Sequence, residues 1–440
     1  MKRLLSTLAF ACTLFTIKAQ DTLTLEQCIR IGIENNLSLR TKRNDVMKGK
    51  HSISENRARL LPQINAVVSM SDNFNPPVSV TDGSAYGNKY NVTKTLQYNA
   101  SAGIKLQMPL YNQTLLTALD ITKMTARINR LSYDKARNDL IEQITSIYYL
   151  AQSTAEQIEI VKANIERLKE LKNITTAFFD NGMAMEVDVK RVNINLENLL
   201  VQHDNAKTML AQQLNMLKYV MDYPAGNDIT LTTVNTETVE QVEPGGLDES
   251  LPELQQLREK SELAARQQKL ISQGYLPSLT LTGNFSYSAF TDRFSNWFHS
   301  GPSNHWYNSS GLGITLNVPI FDGLEKRSKI RNAKLDTENA RIAYDDALKG
   351  LRMQYLNAAD ELTNSRRNLT KQRDNYRLAE DVYAVTTDRY REGIASMTEV
   401  LQDEMRMSEA QNNYVTAHYN YRITSLSLLK LTGRLDSLLK

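Results

Sequence analysis

Four short stretches of this chain alternate apolar and polar residues with a period of two. Tyr98, Ala100, Ala102, Ile104, Leu106 and Met108 run against Asn99, Ser101, Gly103, Lys105 and Gln107 without a fault. Ile64, Ala66, Val68 and Met70 alternate with Asn65, Ser69 and Ser71, Val67 being the exception. Leu279, Leu281, Phe285 and Tyr287 alternate with Thr280, Thr282, Asn284 and Ser286, and Leu312, Ile314, Leu316 and Val318 with Gly311, Gly313, Thr315 and Asn317. The pattern predicts strands over residues 63–74, 98–108, 278–288 and 308–318. Longer stretches step by three and four instead, as in Ile144, Ile147, Ala151, Ile158, Val161, Ile165 and Leu168. That spacing makes a seam for a partner helix. Residues 112–178 hold neither Gly nor Pro, and a helix of that length would reach roughly 100 Å. Helical hairpins are predicted over about 112–219 and 324–431. Residues 25–61 read as helix in two pieces, broken near Asn35-Asn36 and ended by Pro62.

The halves of the chain repeat each other. Leu61-Pro62 aligns with Leu276-Pro277 at an offset of 215, Pro109-Leu110-Tyr111-Asn112 with Pro319-Ile320-Phe321-Asp322 at 210, and Gly182 with Gly393 at 211. This is a duplicated half-protein, since the period far exceeds that of solenoid repeats. The expected organisation is a first repeat over 21–221, a connector over 222–250, a second repeat over 251–433 and a short tail over 434–440. The connector is marked by Tyr223-Pro224, Gly226, Pro244-Gly245-Gly246 and a β-prone piece from Ile229 to Val234. Polar loops are expected between the strands of each repeat. The first holds Pro76, Pro77, Asp82-Gly83 and Gly87, the second Trp297, Phe298, Trp306 and Tyr307.

Residues 1–20 read as a secretory signal: Lys2 and Arg3, an apolar run too short to span a bilayer, then Ile17-Lys18-Ala19 before Gln20. A lipoprotein signal acylated at Cys12 is the rival reading. Export changes the charge argument. Without Lys2, Arg3 and Lys18 the 52 basic residues fall to 49, against 49 acids, so nothing points to nucleic acid. Cys28 alone remains, which excludes an intrachain disulfide. No later stretch is apolar for eighteen residues, so no transmembrane helix is expected.

Strands of about ten residues with strict alternation suit a membrane barrel, apolar toward lipid and polar toward a lumen. The plainer alternative for any one of them is a soluble antiparallel sheet with one wet face. Four such strands cannot close a barrel, and an open edge in lipid leaves unpaired backbone groups. A membrane-spanning chain must therefore pool its strands with copies of itself. Two copies give eight strands and three give twelve.

The chain resembles the outer-membrane efflux protein (TolC-like) family across nearly its whole length after residue 20. The resemblance rests on Leu23-Thr24-Leu25-Glu26-Gln27-Cys28, Asn35-Asn36-Leu37, Leu60-Leu61-Pro62, the Ile314 to Pro319 stretch with Phe321-Asp322-Gly323, Arg389-Tyr390-Arg391-Glu392-Gly393, and Glu399-Val400-Leu401. It implies a mainly α protein with a membrane β-barrel. Three copies would form a twelve-stranded barrel in the outer membrane of a Gram-negative bacterium and a long α-helical barrel in the periplasm. It also implies a passive exit duct, docked through its helical tips to a periplasmic adaptor and an inner-membrane pump or secretion ATPase.

The resemblance assigns roles at the two hairpin tips. Tyr390 takes the position of a Tyr that holds the tip closed through hydrogen bonds and ion pairs. Glu399 takes the first position of an acidic ring, Gln402 the second with Asp403 beside it, and Asp188 the acid of the first tip. Ala395 stands where some members carry an Arg, so an identical gating network is not implied. Gly182, Met183, Gly393 and Ile394 fall where the adaptor would dock. A ring of carboxylates on a narrow axis favours cations. The plain alternative for Glu399 and Asp188 is a helix-start acid favoured by the macrodipole.

No enzyme constellation appears, and no cofactor is implied. There is no Gly-rich phosphate loop, no His-Glu-x-x-His and no cysteine pair, and His51, His203, His299, His305 and His418 are scattered. His299 and His305 share a loop with the tryptophans, where a surface loop is a better reading than a metal site. The rival functions are an exported helical scaffold or adhesin with a soluble sheet, and a general diffusion porin.

Overall fold

The computed structural model describes residues 21–82, 85, 87, 89–232, 243, 245–297 and 306–439. The expected signal segment with Cys12, the turn at Gly83, Val234, Pro244, Phe298, His299 and His305 lie outside the described residues. In chain order the elements are β1 (Asp21–Leu23), α1 (Leu25–Asn35), α2 (Leu37–Ala58), β2 (Gln63–Asp72), β3 (Val78–Asp82), β4 (Tyr90–Lys94), β5 (Tyr98–Tyr111), α3 (Gln113–Asp180) and α4 (Glu186–Met221). Then follow β6 (Ile229–Leu231), α5 (Pro252–Gln273), β7 (Ser278–Thr291), β8 (Trp306–Asn317), α6 (Glu325–Arg391) and α7 (Met397–Leu431). The chain is mainly α, and each half carries strands and a long helical hairpin.

Two compact units cut across the sequence repeat. The first holds Asn44–Arg130 and Gln256–Asp345. Its sheet is antiparallel, in the order β2-β5-β7-β8. Register brings apolar residues together: Ile64 pairs with Leu106 and Ala66 with Ile104, Ile104 with Phe285, and Leu281 with Ile314. Because side chains alternate between faces, one face is mainly apolar across the four strands, interrupted in β8 by Ser310 and Asn308 opposite Phe285 and Tyr287. The other is polar, with Ser69 and Ser101 hydroxyls 2.7 Å apart and those of Ser286 and Ser309 2.9 Å apart. A one-residue slip would exchange the two faces. β2 and β8 are edges, each with one strand neighbour among the described residues. In the helical part of this unit, Gly49 lets α2 approach Ala126 of α3. Arg127 grips Glu259 of α5 at 3.0 Å.

The first inter-strand segment corrects the expectation of a polar loop. It holds a second hairpin, β3 on β4, with Val80 opposite Val92 and Thr81 opposite Asn91. These strands are only five residues long and rich in Thr, Ser and Asn, so they lack the long alternation that revealed the others.

The second unit holds the described residues through Arg43, with Leu131–Gln255 and from Asp346 onward. Thr24 opens α1 with a capping box to Gln27. Asn36 breaks α1 from α2: its side chain accepts from Leu39 N (2.9 Å) and donates to Val220 O (2.8 Å). One buried cluster joins Cys28 and Ile29 of α1, Ile141 and Ile144 of α3, Leu217 and Met221 of α4, and Leu426 of α7. β1 lies parallel to β6 beside it, and Tyr148 Oη donates to Leu23 O (3.2 Å). Burial pushes the Cys28 thiol up to about 12, so Cys28 is core rather than chemistry. The tail is also corrected. Leu435–Leu439 forms a 3-10 turn whose Leu435 is buried in the same cluster, because Gly433 (φ +68°) turns the chain back after α7. A second cluster joins Leu168 and Leu171 of α3, Val192 of α4, Tyr383 and Tyr390 of α6, and Val400 and Met407 of α7. A third joins Leu362 and Leu369 of α6 to Tyr421 and Leu428 of α7.

The closest backbone approach in the sheet generates a test. A Cβ at Gly103 would stand 2.5 Å from Ser286 Cβ and 2.6 Å from Phe285 O. Gly103→Val should separate β5 from β7 at a cost of roughly 1–3 kcal/mol, read as a lower thermal midpoint of the β-sheet circular dichroism signal. An unchanged midpoint would mean that β5 and β7 do not pair this closely.

Candidate functional site

α3 and α6 end in the same chain reversal. Met183 N donates to Phe178 O (2.7 Å) and Gly182 N to Phe179 O (2.9 Å), while Ile394 N donates to Arg389 O (2.8 Å) and Gly393 N to Tyr390 O (2.9 Å). This paired bonding is the Schellman cap, which needs a left-handed residue at its centre. Gly182 has φ +72° and Gly393 φ +75°. A Cβ at either would meet nothing within 4 Å, so the demand for Gly comes from the backbone angle alone. The next residues, Met183 and Ile394, are left exposed.

The helices restart differently. Ser396 caps α7 with a capping box: Glu399 N donates to Ser396 Oγ (3.3 Å), and Ser396 N donates to Glu399 Oε2 (2.8 Å). The bonds of Glu399 are thus those of a helix-start acid, with the side chain otherwise exposed. α4 follows Met185, which offers no side-chain cap. Asp188 pairs instead with Arg191 (3.3 Å), and its side chain is only 13% exposed. Gln402 is exposed. Asp403 turns onto its own hairpin, accepting from Thr386 Oγ1 (2.8 Å) and pairing with Arg406 (3.2 Å).

Tyr390 is buried against Phe178, ring centroids 5.6 Å apart. Its hydroxyl makes no hydrogen bond among the described residues. Thr175 of α3 is its polar neighbour. Burial pushes the Tyr390 hydroxyl up, Thr175 opposes, and the carboxylate of Asp188 adds to the rise. A neutral, enclosed Tyr390 works here as packing between the hairpins.

Charged ties between the hairpins come from residues that sequence reasoning passed over. Arg191 of α4, besides holding Asp188, donates to Thr398 Oγ1 of α7 (3.2 Å). Arg391 of α6 pairs with Glu170 of α3 at 2.6 Å and with Asp388 at 3.2 Å. The Asp188–Arg191 step of three was legible as a helix-surface pair. The Glu170–Arg391 pair had no local signal. Ala395, buried beside Met397 and Val400, leaves the tie to these two arginines. Near this tie lies a half-open cavity of about 280 Å³, lined by Arg167, Glu170, Tyr383, Asp388 and Arg391 among others. No cluster of three or more His, Cys, Asp or Glu suited to a metal occurs among the described residues. No described helix is long and apolar enough to cross a membrane.

Known proteins resemble this chain in sequence and fold. The chain is 24% identical over 406 residues to outer membrane protein TolC of Vibrio cholerae, covering 88% of this chain and 85% of that one. It is 21% identical over 452 residues to the alkaline protease secretion protein AprF of Pseudomonas aeruginosa, covering 99% and 90%. The fold matches the outer membrane protein VceC of Vibrio cholerae with a TM-score of 0.77 at 16% identity, over 93% of this chain and 96% of that one. Residues 29–221 and 247–434 match the profile of the outer membrane efflux protein family. The chain therefore belongs to the outer membrane efflux protein family and is an export channel of the outer membrane.

Proposed function

We propose that this chain is one protomer of a homotrimeric exit duct, gated at its hairpin tips and engaged there by a periplasmic adaptor and an inner-membrane pump or secretion ATPase. The observation that carries the trimer is the four-stranded sheet with one mainly apolar face and two edges open among the described residues. Each unpaired backbone group in lipid costs several kcal/mol. β8 of one copy set against β2 of the next removes both edges, and three copies give a twelve-stranded barrel. A second support lies on α4. Val187, Ile194, Val201, Met209 and Met216 are all exposed, at near-heptad spacing. A helix that buries one stripe in its own hairpin and exposes another is suited to lateral packing against a neighbouring copy.

The tips take the docking and gating roles. Met183 and Ile394 stand at matching positions beyond the two Gly turns and offer a repeated apolar foothold to an adaptor. Asp188 and Glu399 sit at equivalent helix starts, with Gln402 and Asp403 one turn on, and supply the acidic character of a cation-favouring mouth. Tyr390, Arg191 and Arg391 hold the hairpins together. Cargo is chosen by the pump. A relative's name refers to protease secretion, so the duct shape suits more than one class of load. The exported scaffold or adhesin is the alternative, and recovery of the protein from the soluble periplasm rather than from outer membrane in detergent would decide for it.

Two substitutions test the tips. Glu399→Gln keeps a capping-box acceptor and removes the charge. It should leave the thermal midpoint unchanged while lowering cation selectivity in single-channel recordings. Glu399→Ala should lose selectivity and about 1 kcal/mol of stability as well. Unchanged selectivity in both variants would remove Glu399 from the mouth. Gly393→Val forces a β-branched residue to positive φ, at roughly 1–2 kcal/mol or more. It should abolish export with the partner pump while the trimer still reaches the membrane. Normal export by that variant would limit Gly393 to a turn.

A further inference from the structure

Behind the tips, the contact between α3 and α7 carries a buried polar stripe beside its apolar cluster. Glu404, Gln411, His418 and Ser425 recur every seven residues on α7 and are only 5%, 2%, 5% and 8% exposed. A seven-residue step keeps them on one face of the helix. α3 runs antiparallel and answers Gln411 and His418 in register, while Ser425 bonds to Tyr421 O of its own helix and Arg422 beside it reaches α3. Asn164 Nδ2 donates to Gln411 Oε1 (2.9 Å), Glu156 lies 3.7 Å from His418 Nδ1, and Arg422 donates to Gln152 Oε1 (2.9 Å). These rungs are matched until the seam nears the tip. There, Glu404 Oε1 and Arg167 Nε are both buried and make no hydrogen bond among the described residues. Arg167 instead donates through Nη2 to Asn164.

Glu404 lies seven residues into α7, about 10 Å behind the turn. The charged and titratable groups that act on it are Arg167 from α3 and Tyr383 from α6, with Glu170 of α3 beside Tyr383. On α7 itself, Asp403 and Arg406 pair with each other. No acid–base pair within 4 Å neutralises Glu404, in contrast to the Glu170–Arg391 tie nearby.

We propose that Glu404 is a protonation-operated latch between the two hairpins: neutral, it lets α7 close on α3 at the tip end of the seam, and ionised, it places an unpaired charge in that contact and loosens it. The latch rests on the reading of the chain as a duct gated at its tips. Burial pushes the Glu404 carboxyl above its ordinary value of 4.5, with Arg167 opposing. A raised carboxyl contributes stability that is fully present below the unfolded value and is lost as pH rises through the folded one. The window therefore opens at about 4.5 and extends upward, and the closed tip is favoured at its acid end.

The test uses purified protein in planar bilayers, wild type against Glu404→Gln, with single-channel conductance recorded at pH 5 and pH 8. Gln cannot ionise, and the two proteins differ at no other position. The ratio of conductance at pH 8 to that at pH 5 should be at least twofold larger in wild type. On the same preparations, the thermal midpoint should fall further between pH 5 and pH 8 in wild type than in the variant. Equal ratios and equal midpoint shifts in conducting channels overturn the latch and leave the duct standing. Absence of channels from both proteins overturns the duct, and the latch with it.

Discussion

Backbone amides and carbonyls at the edge of a sheet must bond to something, and inside a bilayer only another strand is available. That constraint governs this chain. β5 and β7 are satisfied on both sides within one copy, whereas among the described residues β2 and β8 are satisfied on one side only. The mainly apolar face shared by the four strands makes water an unsuitable solvent for that side of the sheet. A single copy is thus complete as a fold and incomplete as a membrane object. The exposed apolar stripe of α4 repeats the same message in a helical element.

Where the two helical hairpins meet, three kinds of contact divide the work. The apolar cluster around Leu168, Val192 and Val400 supplies non-directional attraction. It holds the helices together without fixing how far one slides along the other. The buried polar rungs, Asn164 to Gln411 and Gln152 to Arg422, do fix that register, since a shift would strand buried donors and acceptors. The exposed pair Arg391–Glu170 adds little to stability in water. Such a pair breaks at little cost.

Much of this was legible in the sequence because the elements are long. Ten-residue alternation revealed the four sheet strands, and runs without Gly or Pro revealed the hairpins. Gly182 and Gly393 marked both turns, since a left-handed cap has few other occupants. The short strands β3 and β4 were missed because alternation over only five residues does not stand out from a polar segment. Leu435 was read as tail because burial after Gly433 depends on tertiary packing. At the tips, the positions of Tyr390, Asp188 and Glu399 were legible and their contacts were not. A capping box can be read from Ser396 and Glu399, but the approach of Arg391 to Glu170 spans 221 positions. His418 looked scattered because polar residues at seven-residue spacing are not ordinarily counted as core.

The cluster that buries Leu23 also buries Leu435. One is among the first described residues to be synthesised and the other among the last. Contacts so distant in sequence form late, after the chain between them has been ordered. The core beside β1 and β6 therefore cannot close on a partly delivered chain, since its final wedge has not yet emerged. Loss of the segment after Gly433 would therefore open the core around Cys28 and Ile29, which lies at the other end of the sequence.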